Sequence, residues 1–384
     1  MPNNWKTYKL SDALEIKYGK DHKKVQDGNI PIYGTGGIMR YGNQALYDKE
    51  TILIPRKGSL NNIFYLNEPF WSVDTIFWSK INEKVAFPKY LFYNLKVLDF
   101  ASMDVGSAIP SLTTELLKKI EIQLPSVAEQ QSIASILSAI DDKIENNLAI
   151  NKTLEEMAMA LYKHWFVDFG PFQDGKFVES ELGMIPKGWE VKKIGDVIET
   201  LGGGTPSTTT KEFWENGNIL WYSPTDLTKE NSLFSFETAK KITSLGLQKS
   251  SAKMFPENSL MMSSRATIGL LTINTVEACT NQGFITMLPN YKLNVYQLYF
   301  WVKQNMELII SKSNGSTFKE ISKANFRDLD IIVAKNIENY TLETKDIFEK
   351  IKNNLIEIKT LTQLRDTLLP QLISGAVRLK EFRE

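Results

Sequence analysis

Few side chains in this sequence could perform covalent chemistry, and they form no catalytic pattern. Cys279 is the single cysteine, and His22 and His164 are the only histidines. A nucleophilic triad needs a histidine base at a defined place, and a structural zinc site needs four such ligands, so neither is expected. A glycine-rich Walker loop ending in Gly-Lys-Ser/Thr is absent as well. The sequence therefore predicts no nucleophilic, zinc-dependent or nucleotide-driven reaction in this chain.

Two short motifs come closest to a catalytic signature. Asn67-Glu68-Pro69-Phe70 differs at its second position from the Asn-Pro-Pro-Phe motif of adenine methyltransferases, and no glycine-rich loop for S-adenosylmethionine accompanies it. Asp174 with Glu190-Val191-Lys192 fits a loose nuclease pattern, but that spacing is common by chance. We interpret the first motif as a turn. An enzyme is the less favoured class, and methylation by this chain alone would be the result that favours it.

Composition and charge are those of a folded chain with a weak electrostatic field. Of 384 residues, 42% are hydrophobic and 23% charged, with 45 basic and 45 acidic side chains. Residues 1–125 carry 16 basic and 13 acidic groups (+3), whereas residues 126–170 carry 3 and 7 (−4). No run of 18 apolar residues or export signal is visible, which predicts a cytoplasmic protein without membrane contact. If the protein binds DNA, a partner is expected to supply more positive charge.

The chain repeats itself with a period near half its length. Residues 5–15 return as residues 189–199, with tryptophan, lysine, aspartate and glutamate in register, and Arg56 matches Arg265. The offset grows from 184 residues (189 minus 5) to 209 (265 minus 56), so insertions separate the matching blocks. An ordered series of matches predicts two domains of similar fold.

Each half contains a turn-rich region followed by a long helix. Apolar runs such as Thr51–Ile54 and Ile219–Tyr222 predict short strands between turns. The helices have apolar residues in alternating steps of four and three, the spacing of a coiled coil. The seam positions are Ile133, Leu137, Ile140, Ile144, Asn147, Asn151, Leu154, Ala158, Leu161 and Trp165 in the first helix, and Ile347, Ile351, Asn354, Ile358, Leu361, Arg365, Leu368 and Leu372 in the second. Two such stripes are expected to pack against each other, antiparallel if a pseudo-two-fold axis relates the halves.

Two polar residues interrupt this seam at equivalent places. Asn147 and Asn354 lie near the middle of the two helices. Buried polar residues at seam positions often fix the register of a coiled coil. Our hypothesis is that these two asparagines meet across the helix pair and set its register.

The predicted fold class is α+β: two similar globular domains joined by two long antiparallel helices that form a coiled coil, with a pseudo-two-fold internal repeat. The expected boundaries are residues 1–125 for the first domain, 126–169 for the first long helix, 170–188 for a connection, 189–335 for the second domain, 336–376 for the second long helix and 377–384 for a tail.

Several motifs, taken in order, resemble the target recognition domains of type I restriction-modification specificity subunits. In the second half these are Gly203-Gly204-Thr205-Pro206-Ser207, Thr225-Asp226-Leu227, Leu260–Gly269 and Thr280-Asn281-Gln282-Gly283-Phe284. In the first half they are Pro31-Ile32-Tyr33-Gly34, Pro55-Arg56-Lys57-Gly58-Ser59 and Pro69–Asp74. Residues 127–169 and 178–190 resemble the family's central region and its exit into the second domain. The resemblance covers essentially the whole chain.

The resemblance implies a non-catalytic subunit that reads DNA. In this family two recognition domains each read one part of a split, asymmetric target in double-stranded DNA, and the paired helices act as a ruler. The helices also dock two methyltransferase subunits, which methylate adenine with S-adenosylmethionine, and motor-nuclease (restriction) subunits complete the complex. The chain itself is expected to hold no cofactor and no metal.

Polar and basic residues of the turn-rich blocks are the candidates for DNA contact. Phosphate contact suits the lysines at positions Lys20, Lys23, Lys24, Lys57, Lys211 and Lys319. Base edges suit Arg56 and Arg265, which can bind guanine, and Asn61, Asn62, Asn281 and Gln282, which can bind adenine. Either role suits Tyr33, Thr35, Thr205, Ser207, Thr208, Ser264 and Thr267.

Residues that differ between the halves are the better candidates for reading different sequences. This reasoning favours Lys57, Ser59, Asn61 and Asn62 over Arg56, and Thr267 over Arg265, because the two arginines share one repeat position and could be scaffold residues. Lys23 and Lys24 could be a solvated loop, and the glycine segments at 36–37 and 202–204 are expected to form tight turns. The alternative functions are a stand-alone DNA-binding regulator, which would bind tightly by itself, and a pure scaffold.

Overall fold

The two turn-rich halves fold into α+β domains with the same strand order. The computed structural model describes residues 4–103, 110–230, 232–315 and 319–382. The chain divides into two compact units, Met1–Asn146 with Ile358–Glu384, and Asn147–Glu357. Each unit therefore contains one domain, part of the first long helix and part of the second.

Domain 1 consists of three small sheets and short helices. Its elements are β1 (Lys6–Lys9), α1 (Leu10–Ala13), β2 (Leu14–Tyr18), β3 (Asp27–Gly34), β4 (Gly37–Gly42), β5 (Thr51–Pro55), β6 (Phe64–Leu66), β7 (Trp71–Ser72), β8 (Ile76–Ile81), α2 (Pro88–Lys96), α3 (Thr114–Lys119) and β9 (Glu121–Leu124). The sheet orders are β1-β9, β2-β8-β5-β6 and β4-β3-β7. Strand β3 runs antiparallel to β4 and parallel to β7.

The first long helix, α4 (Val127–Phe166), leads into a connection that holds the hairpin β10 (Phe177–Ser180) and β11 (Gly183–Pro186). Ser126 begins the helix, because its hydroxyl accepts the Glu129 amide hydrogen at 3.3 Å. A side-chain oxygen at this position satisfies one of the free amides of the first helical turn.

Domain 2 repeats the frame of domain 1. Its elements are β12 (Glu190–Lys193), α5 (Ile194–Val197), β13 (Glu199–Gly202), β14 (Ile219–Tyr222), α6 (Pro224–Glu230), β15 (Phe234–Ser235), β16 (Lys241–Ile242), α7 (Ser244–Gln248), β17 (Leu260–Ser263), β18 (Leu271–Asn274), β19 (Ala278–Thr280), β20 (Phe284–Leu288), α8 (Val295–Gln304), α9 (Met306–Ser311), α10 (Lys323–Arg327) and β21 (Asp330–Val333), followed by the second long helix α11 (Glu338–Ile373).

The sheets of domain 2 match those of domain 1 strand for strand. Their orders are β12-β21, β13-β20-β17-β18-β15 and β16-β14-β19, so β15 is the one addition to the frame among the described strands. Strand β14 runs antiparallel to β16 and parallel to β19, as β3 does with β4 and β7. The predicted internal repeat is therefore confirmed.

Each domain core includes residues of both long helices. In domain 1, Ile133 and Leu137 of α4 and Leu372 of α11 join one buried cluster with α2. In domain 2, Phe166 of α4 and Phe348 of α11 join the corresponding cluster. The apolar stripes are thus buried by both the partner helix and the adjoining domain.

Polar contacts between the helices show that they run antiparallel within each unit. In the unit that contains domain 2, Asn147 Nδ2 donates to Glu357 Oε2 at 2.8 Å, and Asn354 Nδ2 donates to Asn151 Oδ1 at 2.7 Å. In the other unit, Arg365 Nη1 donates to Asp141 Oδ1 at 3.0 Å. Residue numbers rise along α4 as they fall along α11, as an antiparallel pair requires.

The two seam asparagines bond with neighbours rather than with each other. Asn147 and Asn354 are 1% and 3% exposed, so both are buried as expected. The expected direct contact is replaced by two adjacent pairs, Asn147 with Glu357 and Asn354 with Asn151. A longer glutamate opposite Asn147 occupies the place that the hypothesis gave to Asn354. The role of these residues in setting register stays a prediction.

Candidate nucleic-acid interface

In domain 1, several of the predicted DNA-binding residues lie on one face. A groove runs between the tip of the β3–β4 hairpin and the loops that precede β3 and follow β7, and Lys23, Thr35 and Asp74 line it. Asn62 Nδ2 donates to the Thr35 carbonyl at 2.6 Å, and Arg56 Nη1 donates to the Asp74 carbonyl at 3.2 Å. Residues that are distant in sequence therefore lie together on one polar surface, and the side chains of Asn62 and Arg56 are at its edge.

The loop that carries Lys20, Lys23 and Lys24 is anchored by an arginine that sequence reasoning missed. Arg40 of β4 donates to the carbonyls of His22 and Val25, both at 2.7 Å. All three lysines are exposed. Arg40 therefore holds the backbone of the loop while the lysine side chains stay available for phosphates. The available signal was an arginine between the apolar residues Met39 and Tyr41.

Other predicted residues of domain 1 are bound within the domain. Asn61 donates to Asp99 Oδ1 and accepts from the Ala101 amide, both at 3.0 Å, and the hydrogen bond from Asn61 lowers the pKa of Asp99. Tyr33 is 7% exposed, and burial raises the pKa of its phenol. These contacts favour structural roles for both residues. Lys57 and Ser59 are exposed beside them.

In domain 2, a second cluster joins the loop after β13 to the loop after β19. Thr205 Oγ1 donates to Gln282 Oε1 at 2.6 Å, and Asn281 Oδ1 accepts the Gly283 amide at 2.8 Å. A Cβ atom on Gly203 would come within 2.1 Å of the Asn281 carbonyl oxygen, so this loop needs glycine. Gly203 thus permits close packing of two loops, whereas the tight turn expected at residues 202–204 is not formed there.

A concave surface next to this cluster is aromatic and mainly basic, with Glu215 as its acidic residue. Thr208, Lys211, Trp214, Lys240 and Lys241 line it, and Lys240 Nζ lies 5.6 Å from the centre of the Trp214 ring. The Trp214 indole donates to the carbonyl of Ser207 at 2.9 Å, which fixes the exposed serine loop. Lys240 and Lys241 were not among the predicted residues, although two adjacent lysines before a short strand were a visible signal.

The remaining predicted residues of domain 2 lie around β17. Arg265 Nε donates to Glu320 Oε1 at 2.7 Å, whereas its counterpart Arg56 stands over the Tyr18 ring at 5.4 Å. Ser264 is buried at 3% exposure, and Thr267 and Lys319 are exposed. The two equivalent arginines therefore make different contacts, and Glu320 partly neutralises the charge of Arg265.

Two features bear on the cysteine and metal chemistry of the described part of the chain. Cys279 is fully buried, and burial raises the pKa of its thiol to about 12, so the reactive thiolate is scarce at neutral pH. No group of three or more His, Cys, Asp or Glu side chains could hold a metal ion among the described residues. No helix in the described ranges is long and apolar enough to cross a membrane.

Comparison with known proteins assigns the family. The sequence model described as "Type I restriction modification DNA specificity domain" matches residues 2–156 and 186–366. The chain belongs to this family. The two matched segments coincide with the two repeats, each domain with part of its long helix. The family assignment confirms the prediction of a specificity subunit rather than an enzyme.

Relatives and a solved structure agree with this assignment. The chain is 28% identical over 417 residues to the MjaIX specificity subunit of Methanocaldococcus jannaschii, covering 100% of this chain and 95% of that protein. It is 28% identical over 364 residues to the HindI specificity subunit of Haemophilus influenzae, covering 77% and 79%. The crystal structure of a type I S subunit from M. genitalium, at 15% identity, matches 97% of both chains with a TM-score of 0.64 and shows the same fold.

Proposed function

We propose that this chain is the DNA-recognition subunit of a type I restriction-modification enzyme and that its two domains read the two parts of a split, asymmetric target. One observation carries the proposal: the two domains share a strand frame but differ in the chemistry of their equivalent faces. Domain 1 presents Lys23, Thr35 and Asn62 around its groove, and domain 2 presents Lys211 and Lys240 beside Trp214. Unlike surfaces on one frame suit unlike half-sites.

The paired helices serve as ruler and docking surface in this proposal. Two methyltransferase subunits bind along them and methylate adenine with S-adenosylmethionine, and restriction subunits join the same complex. An adenine must leave the base stack to be methylated, so the reaction needs a pocket of its own in the partner subunit. The zero net charge of the chain supports this division, because phosphate neutralisation dominates DNA affinity and a neutral protein gains most from a basic partner.

The test is to map methylated adenines in cells that express this chain with its methyltransferase. Wild type is expected to give one bipartite motif. Lys240→Ala with Lys241→Ala is expected to weaken methylation without moving the motif if these lysines contact phosphates, since such contacts carry no sequence information. Lys119→Ala, an exposed lysine of α3 outside both grooves, is the matched control and should change nothing. Absence of any motif, or a motif without two parts, would refute the proposal.

A stand-alone regulator is the second candidate, and DNA binding separates the two. Weak, salt-sensitive binding by the chain alone and strong, sequence-specific binding after methyltransferase subunits are added support the recognition subunit. Tight, specific binding without a partner, and no gain on its addition, would favour the regulator.

A further inference from the structure

The β3–β4 hairpin of domain 1 exposes an apolar surface that the domain itself does not cover. Ile38, Met39 and Tyr41 are 48%, 58% and 50% exposed, and all three lie on β4. Strand β4 is also the edge of its sheet. An exposed apolar edge strand promotes unwanted association, so soluble proteins usually avoid one unless a partner covers it.

The tip of this hairpin leaves room for close approach. Thr35 and Gly36 form its turn, and Gly37 has φ +109°, a conformation that favours glycine. Gly36 has no such φ, and a Cβ atom there would meet nothing within 4 Å. The domain thus has no steric need for glycine at position 36. A bare backbone at a loop tip allows a ligand to come close.

Exposed lysines lie next to the hairpin, together with acidic side chains. Lys23 lines the groove that Thr35, Gly36 and Met39 also line, and Lys24 lies on the same loop. Acidic side chains occur there too, but Asp27 accepts from Arg40 Nη1 at 3.0 Å, and Asp21 accepts the Lys23 amide at 3.0 Å. Asp74 is the remaining acid of the groove, and its carbonyl accepts from Arg56. Lys23 and Lys24 therefore flank the apolar strand and are placed to bind phosphates, while the carboxylates of Asp21 and Asp74 stay charged beside them.

Domain 2 differs at the equivalent strand. In β16, Ile242 is fully buried and Lys241 is exposed, so the outward surface is basic rather than apolar. The apolar surface is therefore a special feature of domain 1, not a property of the shared frame. Residues that differ between the copies are the ones expected to distinguish their half-sites.

We propose that the β3–β4 hairpin enters the major groove and that Ile38 and Met39 contact the 5-methyl groups of thymines in the half-site of domain 1. The major groove admits a two-stranded β-ribbon, and the thymine methyl is the apolar group that it displays. Gly36 lets the tip approach the bases while Lys23 and Lys24 bind the phosphates. This inference rests on the proposed function and adds the class of base that domain 1 reads.

The experiment removes single methyl groups from the DNA. The chain is assembled with its methyltransferase subunits, and the dissociation constant is measured on duplexes that carry the mapped target, with individual thymines replaced by deoxyuridine. In the half-site of domain 1, at least one replacement should weaken wild-type binding about fourfold, the factor expected for losing the burial of one methyl group. Replacements in the other half-site should have less effect.

The variant Ile38→Ala with Met39→Ala should bind the thymine target more weakly and should respond no further to the same replacement. Val97→Ala, a variant of another exposed apolar residue of domain 1 at the end of α2, is the matched control and should keep the fourfold response. An equal deoxyuridine response in the double variant, no response in wild type, or a domain 1 half-site without thymine would overturn the inference alone. Loss of all sequence-specific binding by the wild-type complex would overturn the proposed function as well.

Discussion

The buried pair Asn151 and Asn354 is where the helix register can be tested most directly. Asn354 Nδ2 donates to Asn151 Oδ1 at 2.7 Å. Asn354 is 3% exposed and Asn151 is 8% exposed. Asn354→Leu removes the donor and leaves a buried carbonyl oxygen without its partner, which costs about 1–3 kcal/mol. Asn151→Leu should lower the free energy of unfolding by less than this. It also removes Asn151 Nδ2, a buried atom that has no partner in wild type among the described residues.

The double variant, Asn151→Leu with Asn354→Leu, should recover most of this loss. Replacing both partners by apolar groups of similar size leaves no unsatisfied atom and extends the apolar seam. We expect a coupling free energy of about 1–3 kcal/mol between the two sites. The helix register of the double variant should be less well defined, because a seam without these polar residues tolerates shifted registers. With its methyltransferase, the double variant should accept targets whose two parts are spaced differently from those of wild type.

Urea unfolding followed by the reactivity of Cys279 is the suitable assay. Cys279 is buried in the same unit as both asparagines, so its exposure reports the unfolding of that unit. Leu154→Ala, which shortens an apolar seam residue of α4, is the control. Its coupling free energy with Asn354→Leu should be smaller than that between Asn151→Leu and Asn354→Leu, because no hydrogen bond joins Leu154 to Asn354. A double variant no more stable than the less stable single variant would refute the pairing. An unchanged spacing preference would refute the role in register.

Three further outcomes follow from other contacts. Arg378→Met should lower the free energy of unfolding by about 3–5 kcal/mol, because Arg378 donates to both carboxylate oxygens of the buried Glu129 at 3.0 and 2.9 Å, and adding Glu129→Gln should restore part of it in the same denaturant titration. Cys279 should resist thiol reagents in the folded protein at pH 8 and react at once in urea, since its thiol pKa of about 12 reflects burial; fast reaction of the folded protein would contradict this. Asn61→Ala should raise the pKa of Asp99 in carboxyl NMR titrations. In wild type, the lowered pKa of Asp99 stabilises the fold above the pKa of the unfolded carboxyl, and this stabilisation is lost as the pH falls through the folded pKa. The variant should therefore lose less stability in acid than wild type.

The fold was largely predictable because its signals are periodic and repeated. The four-three seam gave both long helices, and the matched tryptophan segments gave the duplicated frame. Periodicity could not identify the partners across the seam, however. Asn147 and Asn354 occupy equivalent positions but do not bond each other. Asn147 bonds Glu357, about one turn from Asn354, and Asn354 bonds Asn151, about one turn from Asn147. The rotation and offset of two packed helices depend on the whole interface, and a single chain pattern does not contain them.

The candidate interface was less predictable because residue type does not reveal whether a side chain is already bound. Asn61 and Asn62 are neighbours with identical chemistry, but Asn61 bonds Asp99, 38 residues away, while Asn62 reaches the hairpin carrying Thr35. Arg265 pairs with Glu320, 55 residues away. Such long-range contacts decide which polar groups remain available. The apolar residues of β4 were missed for a related reason: alternation in a short strand does not show which side the domain leaves open.

The two domains provide an internal comparison that separates frame from function. If the two arginines at the shared position were scaffold residues, they should make the same contacts in both copies, yet Arg56 stands over Tyr18 and Arg265 binds Glu320. What recurs without change is the strand order, including the parallel partner of the central strand in the small sheet. The hairpin edge of that sheet then carries Ile38 and Met39 in one copy and Lys241 in the other. Two domains with the same strand order but different side chains on the hairpin edge are suited to reading two different DNA sequences. A protein that served only as a scaffold would not need different side chains at this edge.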